Sequence, residues 1–197
     1  MATNNGAQHI TYYPKFLNQH EINTLFYACL HRIHWQSETI QVYGRQHQVP
    51  RLVAWIADSD VNYTYSGVLH QPDAWLSELM TLKTAIEARA QTTFNSVLAN
   101  RYRNGQDSIG WHADDEKTLG PQPVIASISL GATRAFKIRS RTSKKVQQTL
   151  HLVSGSLLVM EPGFQILYQH SLAKTKKPVG ERINLTFRQV TWQLNSK

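Results

Sequence analysis

The chain has 197 residues, 41% of them apolar and 10% aromatic, which is material for one full hydrophobic core, and its 21 Lys+Arg against 13 Asp+Glu give a net charge of +8. Its single cysteine, Cys29, excludes an intramolecular disulfide and a cysteine-rich structural zinc site. No uninterrupted apolar run approaches bilayer length and no signal-like start is present, so we expect a soluble intracellular monomer without membrane contact, cytoplasmic or, in a eukaryote, nuclear. The positive balance makes a polyanion, nucleic acid first, a candidate partner, against the competing reading of an ordinary basic surface.

In chain order, Asn18 and Glu21 have capping-box spacing, and Ile22, Leu25, Phe26, Cys29, Leu30 and Ile33 recur at helical intervals. Asp73 after Pro72 opens a second predicted helix with Trp75, Leu76, Leu79, Leu82 and Ile86 on its apolar stripe. From Phe94 onward the character changes to short β-type runs: FNSVLANRY, VIASISL, RAFKIR, VQQTLHLV, SLLVME, FQILYQH and RINLTFRQV. Helices followed by strands, with no repeat and no linker, predict a single α+β domain over 1–197, its jelly-roll β core covered on one face by the helices.

His112 and Asp114 lie two apart after an extended run, so in strand-like backbone both side chains share a face. His170 closes the run FQILYQH and supplies a third donor from another strand. Two imidazoles and one carboxylate make a facial set with open positions, which suits Fe(II); a chance His-x-Asp in a surface turn is the alternative. In RINLTFR, Arg182, Asn184 and Arg188 fall on one face and Ile183, Leu185 and Phe187 on the other. Inward arginines need an anion, and a dicarboxylate such as 2-oxoglutarate would bridge them to the metal; an exposed edge strand with solvated arginines is the competing reading. Asn100 and Tyr102, also two apart at a strand end, add an amide and a phenol.

Together, Asn100-x-Tyr102, His112-x-Asp114, His170 and Arg182-x5-Arg188 resemble the AlkB family of Fe(II)/2-oxoglutarate dioxygenases, most of all the homologues that act on duplex DNA. The similarity runs from about Tyr43 to Arg188. It implies a double-stranded β-helix, a jelly-roll catalytic core over about 94–190, preceded by a nucleotide-recognition segment and covering helix over about 40–93. The implied reaction is oxidative removal of alkyl groups from bases such as 1-methyladenine and 3-methylcytosine, using Fe(II), O2 and 2-oxoglutarate and releasing formaldehyde, succinate and CO2. Carried over by position, His112, Asp114 and His170 hold iron, while Asn100, Tyr102, Arg182, Asn184 and Arg188 bind 2-oxoglutarate, Arg182 at its distal carboxylate.

Asp115 resembles the family's acidic contact to the exocyclic amine of the damaged base. In YTYSG, Tyr65 takes the place of the stacking ring and Tyr63 that of a polar contact. The segments VYG and VPR resemble the hairpin of duplex-acting members, with Tyr43 filling the gap left by a flipped base and Arg51 touching a phosphate. Two positions depart from those relatives: Trp111 stands where they carry a polar residue, and Tyr43 where they carry phenylalanine. Basic clusters at Arg139, Arg141, Lys144 and Lys145, and at Lys174, Lys176 and Lys177, fit phosphate contacts. The partner implied is alkylated DNA, with RNA second. An oxygenase acting on RNA or protein, and a non-catalytic jelly-roll module that binds nucleic acid, are the alternatives.

Overall fold

Strand side chains alternate between two faces, and that alternation sets how the layers of this molecule stack. The computed structural model describes residues 7–42, 45–61, 63–65, 68–70 and 72–191, with backbone alone for 40–42, 45, 63–65 and 68–70. In order, the elements are β1 (Ile10–Tyr13), α1 (Gln19–Arg32), β2 (Gln36–Val42), β3 (Arg45–Ala57), β4 (Tyr63–Tyr65), β5 (Val68–His70), α2 (Ser77–Ala90), β6 (Ser96–Tyr102) and β7 (Ile109–His112). A 3-10 turn (Lys117–Leu119) leads to β8 (Ile125–Gly131), β9 (Arg134–Ser140), β10 (Val146–Leu152), β11 (Ser156–Met160), α3 (Phe164–Leu167), β12 (Tyr168–Leu172) and β13 (Arg182–Arg188).

A seven-stranded antiparallel sheet runs β1-β11-β8-β13-β6-β3-β2, a four-stranded one β10-β9-β12-β7, and β4 pairs with β5. Ile10, Tyr12, Ile125, Leu158 and Met160 of the large sheet and Phe136, Ile138 and Leu152 of the small one form one buried cluster, so the two sheets face each other as a jelly roll. The opposite face of the large sheet, Val97, Ala99, Ile128, Leu130, Ile183, Leu185 and Phe187, packs on Leu25 and Cys29 of α1 and Leu79, Leu82 and Ile86 of α2. Each Val, Leu, Ile or Phe side chain among them taken fully out of water contributes about 1.5–3 kcal/mol. Because β13 spends its odd-numbered residues on the helices, Arg182, Asn184, Thr186 and Arg188 are left for the space between the sheets.

The expected first helix is present with both capping-box bonds, Glu21 N–H to Asn18 Oδ1 at 3.0 Å and Asn18 N–H to Glu21 Oε2 at 2.7 Å. The second begins at Ser77, not at Asp73. The Asp73 backbone is used otherwise: its N–H donates to Trp55 O and its carbonyl accepts from Ala57 N–H, which holds it against β3. In FQILYQH the first four residues form the helical turn α3, and His170 falls within β12 instead of closing a strand. Strands are not confined to the second half either, since β1, β2 and β3 extend the large sheet on both sides. Among the described residues no helix is long and apolar enough to cross a membrane.

Candidate active site

Antiparallel pairing of β12 with β7 sets His170 directly opposite His112. Their ring centroids are 4.2 Å apart with planes at 62°. Asp114 lies just beyond the end of β7 and is 2% exposed. One ligand atom from each of His112, Asp114 and His170 lies within 4.8 Å of the others, and His170 Nε2 is 3.8 Å from Asp114 Oδ2. The Gly110 carbonyl is 2.8 Å from His112 Nδ1, which assigns the proton to that nitrogen and leaves Nε2 with its lone pair.

The electrostatics match a metal-binding set. Burial, then the neighbouring His112, push His170 down to about 3, so it is a neutral imidazole at physiological pH. Burial alone would raise the Asp114 carboxyl, but Arg188, with His170 and His112, holds it below the usual carboxylate range. Arg188 Nη2 donates to Asp114 Oδ1 at 2.5 Å, which leaves Oδ2 as the oxygen turned toward His170. Two neutral imidazoles and one ionised carboxylate are ligands that fit Fe(II).

The second predicted group lines the large sheet beside this cluster. Register places Arg182 opposite Tyr102 and Asn184 opposite Asn100, with Ser127 and Ser129 of β8 across from Thr186 and Asn184. Arg182 is 1% exposed and has no carboxylate within ion-pair distance among the described residues. Its Nη2 donates to Ser129 Oγ at 2.9 Å and Asn184 Oδ1 at 2.8 Å, its guanidinium lies 5.3 Å from the Tyr102 ring, and its Nε is buried without a partner. Burial brings its pKa down to about 10. A buried cation satisfied only by neutral groups is a site that an organic carboxylate would complete. The residues therefore fit 2-oxoglutarate as they fit iron.

Arg51, expected at a phosphate, donates from Nε to Asn100 Oδ1 at 2.6 Å, within this same group. Arg134, which sequence reasoning passed over, is also buried here, bonded to the carbonyls of Asn104, Asp107 and Ala173. In RAFKIR the alternation sets Arg134 in phase with the buried Phe136 and Ile138 and out of phase with Lys137 and Arg139, which is the signal that could have found it.

Asp115 is exposed at the edge of a cleft of about 550 Å³ lined also by Lys117, Gly120, Pro121, Pro123, Arg141, Gln165 and Ile166. Arg141 Nη1 reaches Asp115 Oδ2 at 2.7 Å. Glu116, another residue not singled out in the sequence, lies 3.7 Å from Arg188 Nη1. Trp111 alternates with His112 and so turns away from the triad, stacking 4.4 Å beneath Arg139, which Gln169 Oε1 holds. Tyr63 and Tyr65 form β4, though their side chains lie outside the described residues, as does Tyr43 entirely.

Residues 9–188 match the model of the 2OG-Fe(II) oxygenase superfamily. The chain is 37% identical over 194 residues to the human Alpha-ketoglutarate-dependent dioxygenase alkB homolog 3, covering 94% of this chain and 67% of that protein. It is 40% identical over 158 residues to the DNA oxidative demethylase ALKBH2 of Mus musculus, covering 77% and 66%. The chain thus spans about two thirds of these relatives' length. The solved structure of OsALKBH1 superposes with a TM-score of 0.70 at 16% identity, over 93% of this chain and 99% of that one, a likeness of fold.

Proposed function

The chain belongs to the 2OG-Fe(II) oxygenase superfamily and has AlkB homologues among its relatives, and from that premise we propose that it oxidatively demethylates N-alkylated bases in DNA. It is a dioxygenase that uses Fe(II), 2-oxoglutarate and O2. One observation supports the base-directed reading: two carboxylates, Asp115 beside the cleft and Glu116 near Arg188, directly follow the ligand Asp114 in a chain whose net charge is +8. The exocyclic amines of adenine and cytosine are donors, and a carboxylate accepts from them.

In this reading His112, Asp114 and His170 hold the iron, which, when loaded with 2-oxoglutarate and O2, supplies the oxidising power for N-methyl hydroxylation. Arg182 receives the distal carboxylate of 2-oxoglutarate, and Asn100, Tyr102 and Asn184 fix its orientation. Arg188 holds Asp114 ionised and borders the same acid. Asp115 orients the flipped base by its amine, and Tyr65 and Tyr63 stack on and contact it. Tyr43 fills the vacated stack, which offsets part of the few kcal/mol needed to flip a base. Arg51 and the clusters Arg139, Arg141, Lys144, Lys145 and Lys174, Lys176, Lys177 carry the phosphates, so binding weakens steeply with salt.

A panel of 1-methyladenine and 3-methylcytosine in single- and double-stranded DNA and RNA, with Fe(II) and 2-oxoglutarate, tests this. Formaldehyde release is expected from the methylated DNA, and RNA turnover alone would move the substrate class. Consumption of 2-oxoglutarate with no turnover of any methylated oligonucleotide would remove the repair reading.

A further inference from the structure

We propose that Gln165 is a positioning residue for the metal ligand Asp114, holding that ligand's backbone in place before any ion arrives. The proposal rests on the iron-triad assignment but not on any substrate. β7 ends at His112, so Asp114 lies beyond the last rung of the sheet. Its N–H donates instead to Gln165 Oε1 at 3.0 Å, a bond buried from solvent. Gln165 is 2% exposed, and its Nε2 donates, among the described residues, to the weak acceptor Met160 Sδ at 3.5 Å. Turning the amide over would set an NH2 against the Asp114 N–H, so the orientation is fixed by that one bond.

Burying an amide costs free energy that an apolar side chain of the same size would not, and here the return is the fixed backbone of a ligand. Gln165 lies in α3, which runs directly into β12 and His170. One side chain therefore ties the loop of the carboxylate ligand to the element leading to a histidine ligand. Arg141 braces the arrangement from outside, its Nη1 donating both to Gln165 O at 2.8 Å and to Asp115 Oδ2 at 2.7 Å. With Oδ1 taken by Arg188 and the backbone held by Gln165, Oδ2 has little freedom except toward His170. Groups that orient metal ligands from behind change metal affinity on the order of 10–100-fold when removed.

The experiment titrates the metal-free 197-residue chain with Mn(II), following the free ion by electron paramagnetic resonance, and records the visible spectrum of the Co(II) form. Gln165→Met keeps length and volume but removes the acceptor. We expect Mn(II) affinity to fall about tenfold and the Co(II) bands to shift, with thermal stability close to the parent. If Gln165→Met fails to fold, the surface variant Arg141→Met reads the same device, with an expected loss of about threefold through the loosened brace. Parental Mn(II) affinity in a folded Gln165→Met protein, or in Arg141→Met where that variant is the readable one, overturns the proposal. So does unchanged metal binding in His112→Ala, which would remove the triad itself. Failure of every methylated oligonucleotide, with the Mn(II) losses as expected, strikes the substrate reading and leaves this one standing.

Discussion

Arg182 and Arg188 sit at opposite ends of one strand, face the same inter-sheet space, and live in opposite electrostatic conditions. Arg188 is already neutralised: Asp114 lies at 2.5 Å and Glu116 at 3.7 Å. Arg182 is more deeply buried, yet its side-chain hydrogen-bond partners are a serine hydroxyl and an asparagine amide. Two acids near that end are spent elsewhere, Asp107 on Arg103 and Glu181 on Arg101, and neither forms an ion pair with Arg182. The difference separates two tasks. Arg188 keeps a ligand charged and aimed, while Arg182 is a cation held in reserve for an incoming anion.

Truncating each arginine to methionine should therefore move stability in opposite directions. Arg188→Met strands the buried Asp114 carboxylate without its partner, and we expect a loss of about 3 kcal/mol in the metal-free protein, read by thermal or urea unfolding. Equal stability would break the comparison. Arg182→Met removes a buried charge that lacks a counter-ion, so the metal-free protein should unfold no earlier than the parent. Its 2-oxoglutarate affinity should fall by roughly 30–100-fold, the worth of a lost charge-assisted pair of about 2–3 kcal/mol, measured by calorimetry with Mn(II) in place. A variant that binds 2-oxoglutarate normally would leave the reserve cation without a purpose.

The smallest effect should come from Asp107→Asn. The side-chain hydrogen bond from Arg103 is the main reason the Asp107 carboxyl titrates below the usual carboxylate range. The unfolded chain then takes up that proton more readily than the folded one, so the stability Asp107 contributes is present above about pH 4 and is lost as pH falls through its lower folded value. The variant should melt a few degrees below the parent at pH 7, with the gap closing in acid, and should bind 2-oxoglutarate nearly as the parent does. A large loss of affinity would mean that Asp107 belongs to the co-substrate group after all.

How much of this could be read beforehand depended on the range of the interactions. The β13 face and the first helix cap are set by spacing within a few residues, so RINLTFR and Asn18-x-x-Glu21 declared them. His112, Asp114 and His170 could be nominated because two of them are neighbours and the third ends a β-type run. The start of α2 could not, because a backbone bridge to β3 overrides what Pro72-Asp73 favours locally. Gln165 was hidden for a similar reason: FQIL reads as an apolar strand, and only the fold brings the amide to Asp114, 51 residues away in sequence. The Arg51 bond to Asn100 likewise joins residues 49 apart, so no local pattern announces it.

The position of β13 in the large sheet has a consequence for the timing of events. It is laddered on one side to β8 from Arg182 to Phe187 and on the other to β6 along its whole length, so its amides open to solvent only with the sheet itself. In a hydrogen–deuterium exchange experiment these amides should be among the slowest in the chain. The loop after β7 is ladder-free and, apart from the Asp114 amide held by Gln165, should exchange early. The half of the pocket that would take the organic acid is thus permanent on the timescale of turnover, and whatever closing and opening accompanies each cycle falls to the other half.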